Sequence, residues 1–323
     1  MKAAVTIGPG SPENIVFQNV PKPTVKPGWI LIKIHAFGLN RSEIFTRQGH
    51  SPGVKFPRIQ GIECVGTVEE DPSGKLKKGQ KVAAIMGEMG RAFDGSYAEY
   101  TLVPEHIVFP FESILPWSIL GSIPEMYQTV AGSLYQALEI RKGEVLLIRG
   151  GTSSIGITAC QLAKHEDLIV ISTTRNPDKT DFLKGIGADQ VLIDNGSIVE
   201  ELVNLFPGKV DKVLELIGTR TLKDSLKCIK PKGIVCMTGI LGNEWTMKEF
   251  TPMGDIPSLG RLTVYGGDAE NLTADSLQKF IQLVESGKVD IKIDRTFELN
   301  EIPEAHQYME DNLAKGKLVV LVT

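Results

Sequence analysis

The chain has 323 residues, of which 42 % are hydrophobic and 23 % are charged. This composition is typical of a soluble globular protein, and the length predicts about two domains. The 35 Lys and Arg residues against 39 Asp and Glu residues leave a net charge of −4, which argues against nucleic acid or an anionic membrane as a partner. We therefore expect a small-molecule partner.

The N-terminal segment and the cysteines predict a cytoplasmic protein. A Gly-Pro-Gly turn at residues 8–10 interrupts the first apolar run well below the length of a signal peptide or a transmembrane helix. The cysteines are widely spaced and form no C-x-x-C pair, which predicts buried free thiols rather than a disulfide framework or a cysteine zinc cluster. They are Cys64, Cys160, Cys228 and Cys236.

Short apolar runs separated by Gly and Pro fill roughly the first 120 residues and predict a β-rich, barrel-like module. From about residue 122 onward, helices alternate with short buried strands, which predicts a parallel, doubly wound sheet. Its predicted strands are 145–149, 168–173, 190–193, 212–217, 234–238 and 262–265. The predicted helices between them are 155–164, 178–185, 198–206 and 221–229.

The C-terminal segment predicts helices over 274–286 and 302–312 and strands over 295–299 and 317–322. Since the six-stranded sheet is already complete, we assign these elements to the first module. The predicted organisation is therefore a catalytic domain formed by residues 1–121 and 268–323, with a cofactor domain, residues 122–267, inserted between its two parts.

The strongest chemical signal is the segment VLLIRGGTSSIGITAC at residues 145–160, which predicts a buried strand, a turn of small residues and a helix. Gly151 permits the tight turn, Gly156 permits close packing of helix on strand, and the first amides of the helix are suited to a pyrophosphate. Ser153 replaces the middle glycine of G-x-G-x-x-G, and its hydroxyl is able to donate to a phosphate oxygen. A purely structural turn is the alternative. The predicted contact residues are Gly151, Thr152, Ser153, Ser154, Ile155 and Gly156.

The end of the next strand indicates which dinucleotide binds. NAD enzymes place an acidic residue on the ribose about 20 residues after the glycines, and this chain has Thr174 there. Arg175 and Lys179 follow closely and can pair with a 2′-phosphate. The pattern favours NADPH over NADH, and a solvated basic loop is the alternative.

Together these features resemble the medium-chain dehydrogenase/reductase superfamily over essentially the whole chain, and within it the zinc-free quinone oxidoreductases related to zeta-crystallin. The resemblance implies an α/β protein with a GroES-like β-rich catalytic domain and an inserted Rossmann domain. Besides the glycine loop, the segments that carry it are GLNRSE (38–43), FPRIQGIE (56–63), DGSYAEY (94–100), PEMYQT (124–129) and AKGK (314–317).

The resemblance also implies that zinc is absent. Alcohol dehydrogenases of the superfamily have a cysteine where this chain has Asn40, a histidine where it has Ile62 and commonly a cysteine where it has Glu125. The stretch 87–100 also lacks the four cysteines of their structural zinc lobe. Without a Lewis acid alcohol oxidation is disfavoured, whereas hydride transfer from a reduced nicotinamide to a quinone or an α,β-unsaturated carbonyl needs mainly positioning and a hydrogen bond to the developing oxyanion.

Three residues are the predicted catalytic candidates by their positions in the resemblance. Asn40 would hydrogen-bond the acceptor oxygen, and a turn residue is the alternative. Tyr127 would donate a proton or only pack. Ser42 matches a hydroxyl that relays a proton in the alcohol dehydrogenases, although the quinone reductases usually lack it. Many of those reductases have a tyrosine where this chain has Phe45.

The remaining predicted cofactor contacts are Thr129, against the nicotinamide, together with Gly239 and Lys317. Glu63 is expected to hold loops through backbone amides rather than to act in the chemistry. Since an apolar edge strand is normally paired or covered, residues 261–265 predict a homodimer.

Two other functions compete with quinone or enone reduction. One keeps the fold and reduces an enoyl thioester. The other is non-catalytic: an NADPH-binding sensor or crystallin-like protein, or an RNA-binding protein. The net charge of −4 argues against RNA as the main ligand.

Overall fold

A computed structural model describes residues 1–322 of the chain. Contacts divide it into two compact units. Unit 1 comprises Met1–Gln128, Asp268–Gly287 and the residues from Ile291 onward, and unit 2 comprises Thr129–Gly267 and Lys288–Asp290. The sequence predicts the boundaries at 121/122 and 267/268, so the first change of unit comes later than expected. It lies between Gln128 and Thr129, within the helix Pro124–Ala131, which begins just after the predicted boundary.

Within the described residues the strands are β1 (Lys2–Thr6), β2 (Ile15–Asn19), β3 (Trp29–Gly38), β4 (Arg58–Ile59), β5 (Glu63–Glu70), β6 (Lys81–Ile85), β7 (Tyr100–Pro104), β8 (Val108–Pro110), β9 (Val145–Arg149), β10 (Ile169–Thr174), β11 (Gln190–Ile193), β12 (Val210–Glu215), β13 (Ile229–Met237), β14 (Arg261–Val264), β15 (Ile293–Glu298) and β16 (Lys317–Leu321). The α-helices are α1 (Arg41–Arg47), α2 (Trp117–Leu120), α3 (Pro124–Ala131), α4 (Ser154–His165), α5 (Thr180–Gly185), α6 (Val199–Leu205), α7 (Thr219–Cys228), α8 (Pro252–Asp255), α9 (Ala274–Glu285) and α10 (Ile302–Glu310).

Unit 1 is built on β-sheets. A three-stranded sheet has the order β2-β1-β4, and a larger sheet has the order β15-β16-β3-β5-β6-β8, with β7 also paired to β3. The long strand β3 is buried along most of its length because its side chains are mainly Ile, Leu, Ala and Phe. The C-terminal strand β16 pairs antiparallel with β3, with Val319 opposite Gly38. The C-terminal segment therefore returns to the first module, and it brings the start of β16 to the end of β3.

Unit 2 contains a six-stranded sheet in the order β11-β10-β9-β12-β13-β14. Every neighbouring pair in it is parallel. This is the doubly wound order in which two βαβ halves meet at the first strand, here β9. Apolar residues from the strands and from α6 and α7 form its core, which includes Leu147, Ile171, Val213 and Leu226. The predicted fold class is confirmed.

The predicted strands from residue 145 onward match the observed ones within two residues, with one exception. The prediction over 234–238 becomes β13, which already begins at Ile229.

All four cysteines are buried free thiols, as the sequence predicts. None of the helices in residues 1–322 is long and apolar enough to span a bilayer.

Candidate active site

The start of α1 joins two loops of unit 1 through one buried acid. Asn40 is the residue before the helix, and its backbone amide donates to Glu43 Oε2 at 2.7 Å. The other carboxyl oxygen of Glu43 accepts from the amide of Ile62 at 2.9 Å. Burial raises the pKa of Glu43 to about 8. Glu43 therefore holds together the two positions at which the resemblance places metal ligands in the alcohol dehydrogenases.

The side chain of Asn40 lies in a buried group of charges that we call the Lys317 cluster: Asn40, Glu63, Glu125 and Lys317. Lys317 Nζ lies 2.6 Å from Asn40 Oδ1, 3.0 Å from Glu63 Oε1 and 3.5 Å from Glu125 Oε2. Asn40 Nδ2 donates to Glu63 Oε1 at 2.9 Å, and the amide of Glu125 donates to Glu63 Oε2 at 2.8 Å. The cluster combines one cation, two carboxylates and one amide in a site almost without solvent.

Strand pairing and a glycine make room for this cluster. Lys317 is the first residue of β16, beside the end of β3. A Cβ on Gly38 would lie 2.3 Å from Lys317 Cε and 2.6 Å from Glu63 Oε1, so no larger residue fits there without displacing the ion pair. Burial alone would lower the pKa of Lys317, but the carboxylates of Glu63 and Glu125 outweigh it and raise the pKa above the ordinary value.

The other predicted catalytic side chains lie on α1 and α3. The Ser42 hydroxyl is buried and has no hydrogen-bond partner among residues 1–322. The Tyr127 ring is 6 % exposed and stacks on Phe280, with ring centroids 4.3 Å apart. Stacking favours the packing alternative for Tyr127, whereas Ser42 retains an unused donor.

A buried polar chain that the sequence does not indicate ends on α10. Arg47 Nε donates to His306 Nδ1 at 3.3 Å, and His306 Nε2 lies 2.9 Å from the hydroxyl of Tyr97. Burial, with the nearby Arg47 charge, lowers the pKa of His306 to about 3, so the ring is neutral at pH 7. Arg47 also pairs with Glu310. No local pattern could have revealed this chain, because 259 residues separate Arg47 from His306.

In unit 2 the turn between β9 and α4 is closely packed at two of its glycines. A Cβ on Gly151 would lie 1.9 Å from the hydroxyl of Ser172, and a Cβ on Gly156 would lie 2.5 Å from a backbone oxygen of the turn. Both positions therefore need glycine. Thr152 lies in the turn between them. These contacts show close packing of the turn on β10 and on the start of α4, which a dinucleotide-binding turn and a purely structural turn both require.

The hydroxyl of Ser153 has partners within the loop itself. The single hydroxyl hydrogen of Ser153 is donated to the carbonyl of Gly150 at 2.8 Å, and the same oxygen accepts from the amide of Gly156 at 3.1 Å. Ser153 is the N-cap of α4, and these contacts favour a capping role over donation to a phosphate. The amides of Ser154 and Ile155, in the first turn of α4, have no acceptor within the helix and remain suited to an anion.

The end of β10 carries the predicted ribose contacts. Thr174 is buried, and its hydroxyl bonds to the backbone of Asn176. Arg175 is exposed and Lys179 is half-buried. Two cations thus follow a strand end that carries a neutral hydroxyl where NAD enzymes have an acid.

Two further predicted cofactor contacts lie elsewhere in unit 2. Thr129 is in α3, and its carbonyl accepts from the hydroxyl of Ser133 at 2.7 Å. A Cβ on Gly239 would lie 2.4 Å from the carbonyl oxygen of Leu216, so the close approach of two loops requires this glycine.

Lys317, the remaining predicted cofactor contact, lies in unit 1. Because its ammonium is directed at Asn40, Glu63 and Glu125, its contacts favour a role within the Lys317 cluster over direct binding of the cofactor.

A second buried charge group, also missed from the sequence, precedes the glycine loop. We call it the Arg149 cluster: Arg149, Asp194, Asp224 and Ser225. The guanidinium bonds both oxygens of Asp194, at 2.7 and 2.9 Å, and Asp224 Oδ2 at 2.8 Å. It also donates to the hydroxyl of Ser225 at 3.1 Å. The cluster joins the end of β9 to the end of β11 and to α7.

Two family models match the chain. The alcohol dehydrogenase GroES-like domain matches residues 26–113, and the zinc-binding dehydrogenase domain matches residues 186–320. The chain belongs to the medium-chain dehydrogenase/reductase superfamily. Its two units carry the GroES-like and Rossmann-like sheets of that superfamily.

Curated members of the superfamily resemble the chain along most of its length. A quinone oxidoreductase of Mus musculus is 24 % identical, covering 97 % of this chain and 95 % of that protein. An acryloyl-coenzyme A reductase of Sulfurisphaera tokodaii is 26 % identical, covering 99 % of each. The chloroplastic NADPH-dependent alkenal/one oxidoreductase of Arabidopsis thaliana is 28 % identical, covering 94 % of this chain and 74 % of that protein.

Solved structures agree with the fold. The quinone oxidoreductase of Coxiella burnetii superposes with a TM-score of 0.85 at 27 % identity, covering 100 % of this chain and 99 % of that one. The Escherichia coli quinone oxidoreductase complexed with NADPH gives a TM-score of 0.85 at 21 % identity, covering 99 % and 100 %.

The zinc ion that the family description implies does not fit the residues at this site. Ile62 has no donor atom, Asn40 Oδ1 is bonded to an ammonium, and Glu125 faces the same cation. Among residues 1–322 no group of three or more His, Cys, Asp or Glu side chains is arranged to hold a metal.

Proposed function

We propose that this chain is an NADPH-dependent oxidoreductase that reduces a quinone or an α,β-unsaturated carbonyl without a metal ion. The observation that carries the proposal is the Lys317 cluster, which has an ammonium among positions that hold zinc ligands in the alcohol dehydrogenases. The glycine loop of unit 2, with Ser153 in place of the middle glycine, and the names of the quinone and alkenal/one oxidoreductase relatives support it.

The cofactor would be held by residues of unit 2. Gly151, Gly156 and the first amides of α4 suit the pyrophosphate, and Arg175 with Lys179 suits the 2′-phosphate. When bound, the reduced nicotinamide supplies the hydride. The preference for NADPH rests on charge, because Thr174 presents no carboxylate to repel the phosphate.

Asn40 would bind the acceptor oxygen. Its Nδ2 group has two hydrogens, and Glu63 takes one of them. The second hydrogen is suited to donate to the oxygen on which negative charge develops during hydride transfer. The oxygen then takes a proton from water, either directly or relayed by the buried hydroxyl of Ser42, which regains its own proton from that water.

A second candidate function is the reduction of an enoyl thioester. The specific observation in its favour is the acryloyl-coenzyme A reductase among the relatives, at 26 % identity over nearly the full length of both chains. The same reasoning about Asn40 applies, since a thioester conjugated to a double bond also develops charge on its carbonyl oxygen. A non-catalytic NADPH-binding role is the remaining alternative.

Oxidation of NADPH by the purified protein with a panel of quinones, enones and enoyl thioesters tests this proposal. We expect turnover with at least one quinone or enone that exceeds the rate with thioesters. Turnover confined to thioesters would favour the second candidate. A flat panel, with NADPH binding intact, would contradict an enzymatic function.

We further propose a cytoplasmic homodimer that pairs β14 with its copy. β14 bonds to β13 on one side and is the edge of the six-stranded sheet. Val264 on this strand is 69 % exposed. Pairing across a two-fold axis would extend the sheet and cover the edge. Light scattering is expected to give twice the mass of one chain, and the mass of a single chain at micromolar concentration would contradict the dimer.

A further inference from the structure

The Lys317 cluster contains a cation whose place in the chemistry neither the family models nor the relatives describe. We propose that Lys317 is a positioning residue, whose ammonium fixes the Asn40 amide so that its second N–H points to the acceptor oxygen. This inference rests on the proposed function, because it takes Asn40 as the hydrogen-bond donor. It also assigns a fixed positive charge to a site whose residues do not fit zinc.

The ammonium acts through Asn40 rather than directly. An ammonium has three hydrogens, and Nζ has three acceptors, Asn40 Oδ1 at 2.6 Å, Glu63 Oε1 at 3.0 Å and Glu125 Oε2 at 3.5 Å. The shortest of these contacts is the one to the amide. Direct donation to a bound acceptor would break a bond to one of these oxygens, and two of them are negatively charged.

The charges determine which way the amide faces. In the observed orientation the amide oxygen faces the ammonium and the amide nitrogen faces Glu63 Oε1, at 2.6 and 2.9 Å. A flipped amide would place N–H against an ammonium and oxygen against a carboxylate, so both contacts would become repulsive. Lys317 and Glu63 together therefore select one of the two amide orientations, and with it the direction of the second N–H.

The residues around the amide are mostly buried. Lys317 is 3 % exposed and the Glu63 side chain is fully buried. Glu63 is itself held by the amide of Glu125, and Gly38 is the close neighbour that leaves space for the lysine. Contacts of this kind gain strength where water is excluded, so the loss of one charge is expected to release the amide.

A double-mutant cycle tests the inference. We expect Lys317→Met to reduce kcat for the preferred acceptor by roughly 10- to 100-fold while the NADPH dissociation constant stays within about 2-fold, since the amide donor acts on the developing oxyanion. In the Asn40→Ala background the same substitution is expected to change kcat by less than about 3-fold, because the residue through which it acts is gone. Full, independent effects in both backgrounds would overturn the inference, and so would unchanged turnover of Lys317→Met.

Lys212→Met is the matched control. Lys212 is a buried lysine of unit 2, 5 % exposed, with Nζ 3.7 Å from Glu144. This variant loses a buried lysine charge without touching Asn40, so kcat is expected to stay near the unmutated value. If Lys317→Met fails to fold, the double variant Lys317→Met with Glu63→Gln removes the ammonium together with the carboxylate that lies 3.0 Å from it. The same loss of kcat is expected from this double variant.

The Asn40 side-chain amide also gives a readout that does not need turnover. In ¹⁵N-labelled protein its two proton resonances are expected to be distinct and slow to exchange, and to broaden or merge with faster exchange in Lys317→Met. If the unmutated protein turns over no acceptor, the proposed function is contradicted. The Asn40 resonances then test separately whether Lys317 positions the amide. Unchanged resonances in the variant would show that Lys317 does not position the amide.

Discussion

The Lys317 cluster and the Arg149 cluster both hold one buried cation against two carboxylates, but they are built differently. Arg149 presents a planar fork, with two bonds to Asp194 and one to Asp224, and its remaining donors go to the hydroxyl and backbone oxygens of neighbouring loops. Lys317 is a point charge whose shortest bond goes to a neutral amide.

These two hydrogen-bond geometries give the clusters different roles. All donors of the Arg149 guanidinium are used by residues at strand ends and on α7. Arg149 therefore links these elements and has no donor left for a ligand. The ammonium instead orients an amide that keeps one hydrogen for another acceptor. We therefore assign the Arg149 cluster to the stability of unit 2 and the Lys317 cluster to the chemistry of unit 1.

The largest expected effect is on stability. Arg149→Met leaves Asp194 and Asp224 without their cation, and removing one partner from a buried ion pair typically costs about 3–5 kcal/mol. Urea unfolding of the variant should show a loss of that size. Adding Asp194→Asn and Asp224→Asn is expected to recover part of it. A loss under about 1 kcal/mol would contradict the assignment of the Arg149 cluster to the stability of unit 2.

Asn40→Ala is expected to act on turnover instead. Removing one donor to a developing oxyanion typically costs about 100- to 1000-fold in kcat, or roughly 2.7–4 kcal/mol. Steady-state reduction of the preferred quinone or enone measures this loss, and the NADPH dissociation constant should change little. Unchanged kcat would return Asn40 to the role of a turn residue.

Arg175 is an exposed arginine of unit 2, in contrast to the buried Arg149, and Arg175→Ala tests its role in NADPH binding. A charge-assisted bond to phosphate is worth about 1.5–3 kcal/mol, so NADPH binding should weaken about 10- to 100-fold while NADH binding is nearly unchanged. The difference between the two cofactors should shrink as salt is added, because exposed charges are screened. Equal efficiency with NADPH and NADH in the unmutated protein at low salt would mean that the loop is only a solvated basic turn.

A smaller effect concerns pH. Burial raises the pKa of Glu43 from its ordinary 4.5 to about 8, so the native state holds this proton more tightly than the unfolded chain. The free energy of unfolding should fall as pH rises through that window, by at most about 1.4 kcal/mol per unit.

His306 contributes the opposite slope, because its pKa is lowered from 6.5 to about 3. Stability from this group is lost as pH falls below 6.5. The decline caused by Glu43 should therefore be clearest between pH 6.5 and 8. Urea unfolding across that range measures it, and Glu43→Gln should flatten the curve. An equal decline in the variant would contradict the assignment.

The features that could be predicted from the sequence are local ones. The strand, turn and helix of the glycine loop follow each other in the chain, and the alternation of strands and helices predicts the parallel sheet. The role of Ser153 as N-cap is also a local feature that the sequence can predict, since a serine before a helix commonly bonds the amide three residues on. The phosphate role rests instead on the missing glycine of the motif.

The Lys317 cluster could not be predicted in the same way. Asn40 and Lys317 are 277 residues apart, and only the pairing of β16 with β3 brings them together. The sequence indicates that Asn40, Ile62 and Glu125 do not form a zinc site, but it gives no sign that a lysine lies among them. A lysine that begins a strand is usually exposed, so its burial follows from tertiary contacts alone.

Metal content measured together with turnover tests the central claim most directly. Protein treated exhaustively with a chelator is analysed for zinc, and its oxidation of NADPH with the preferred quinone or enone is compared with that of untreated protein. We expect far less than about one zinc per chain and full activity after chelation. About one zinc per chain, lost together with activity and restored with it on adding zinc back, would contradict the account.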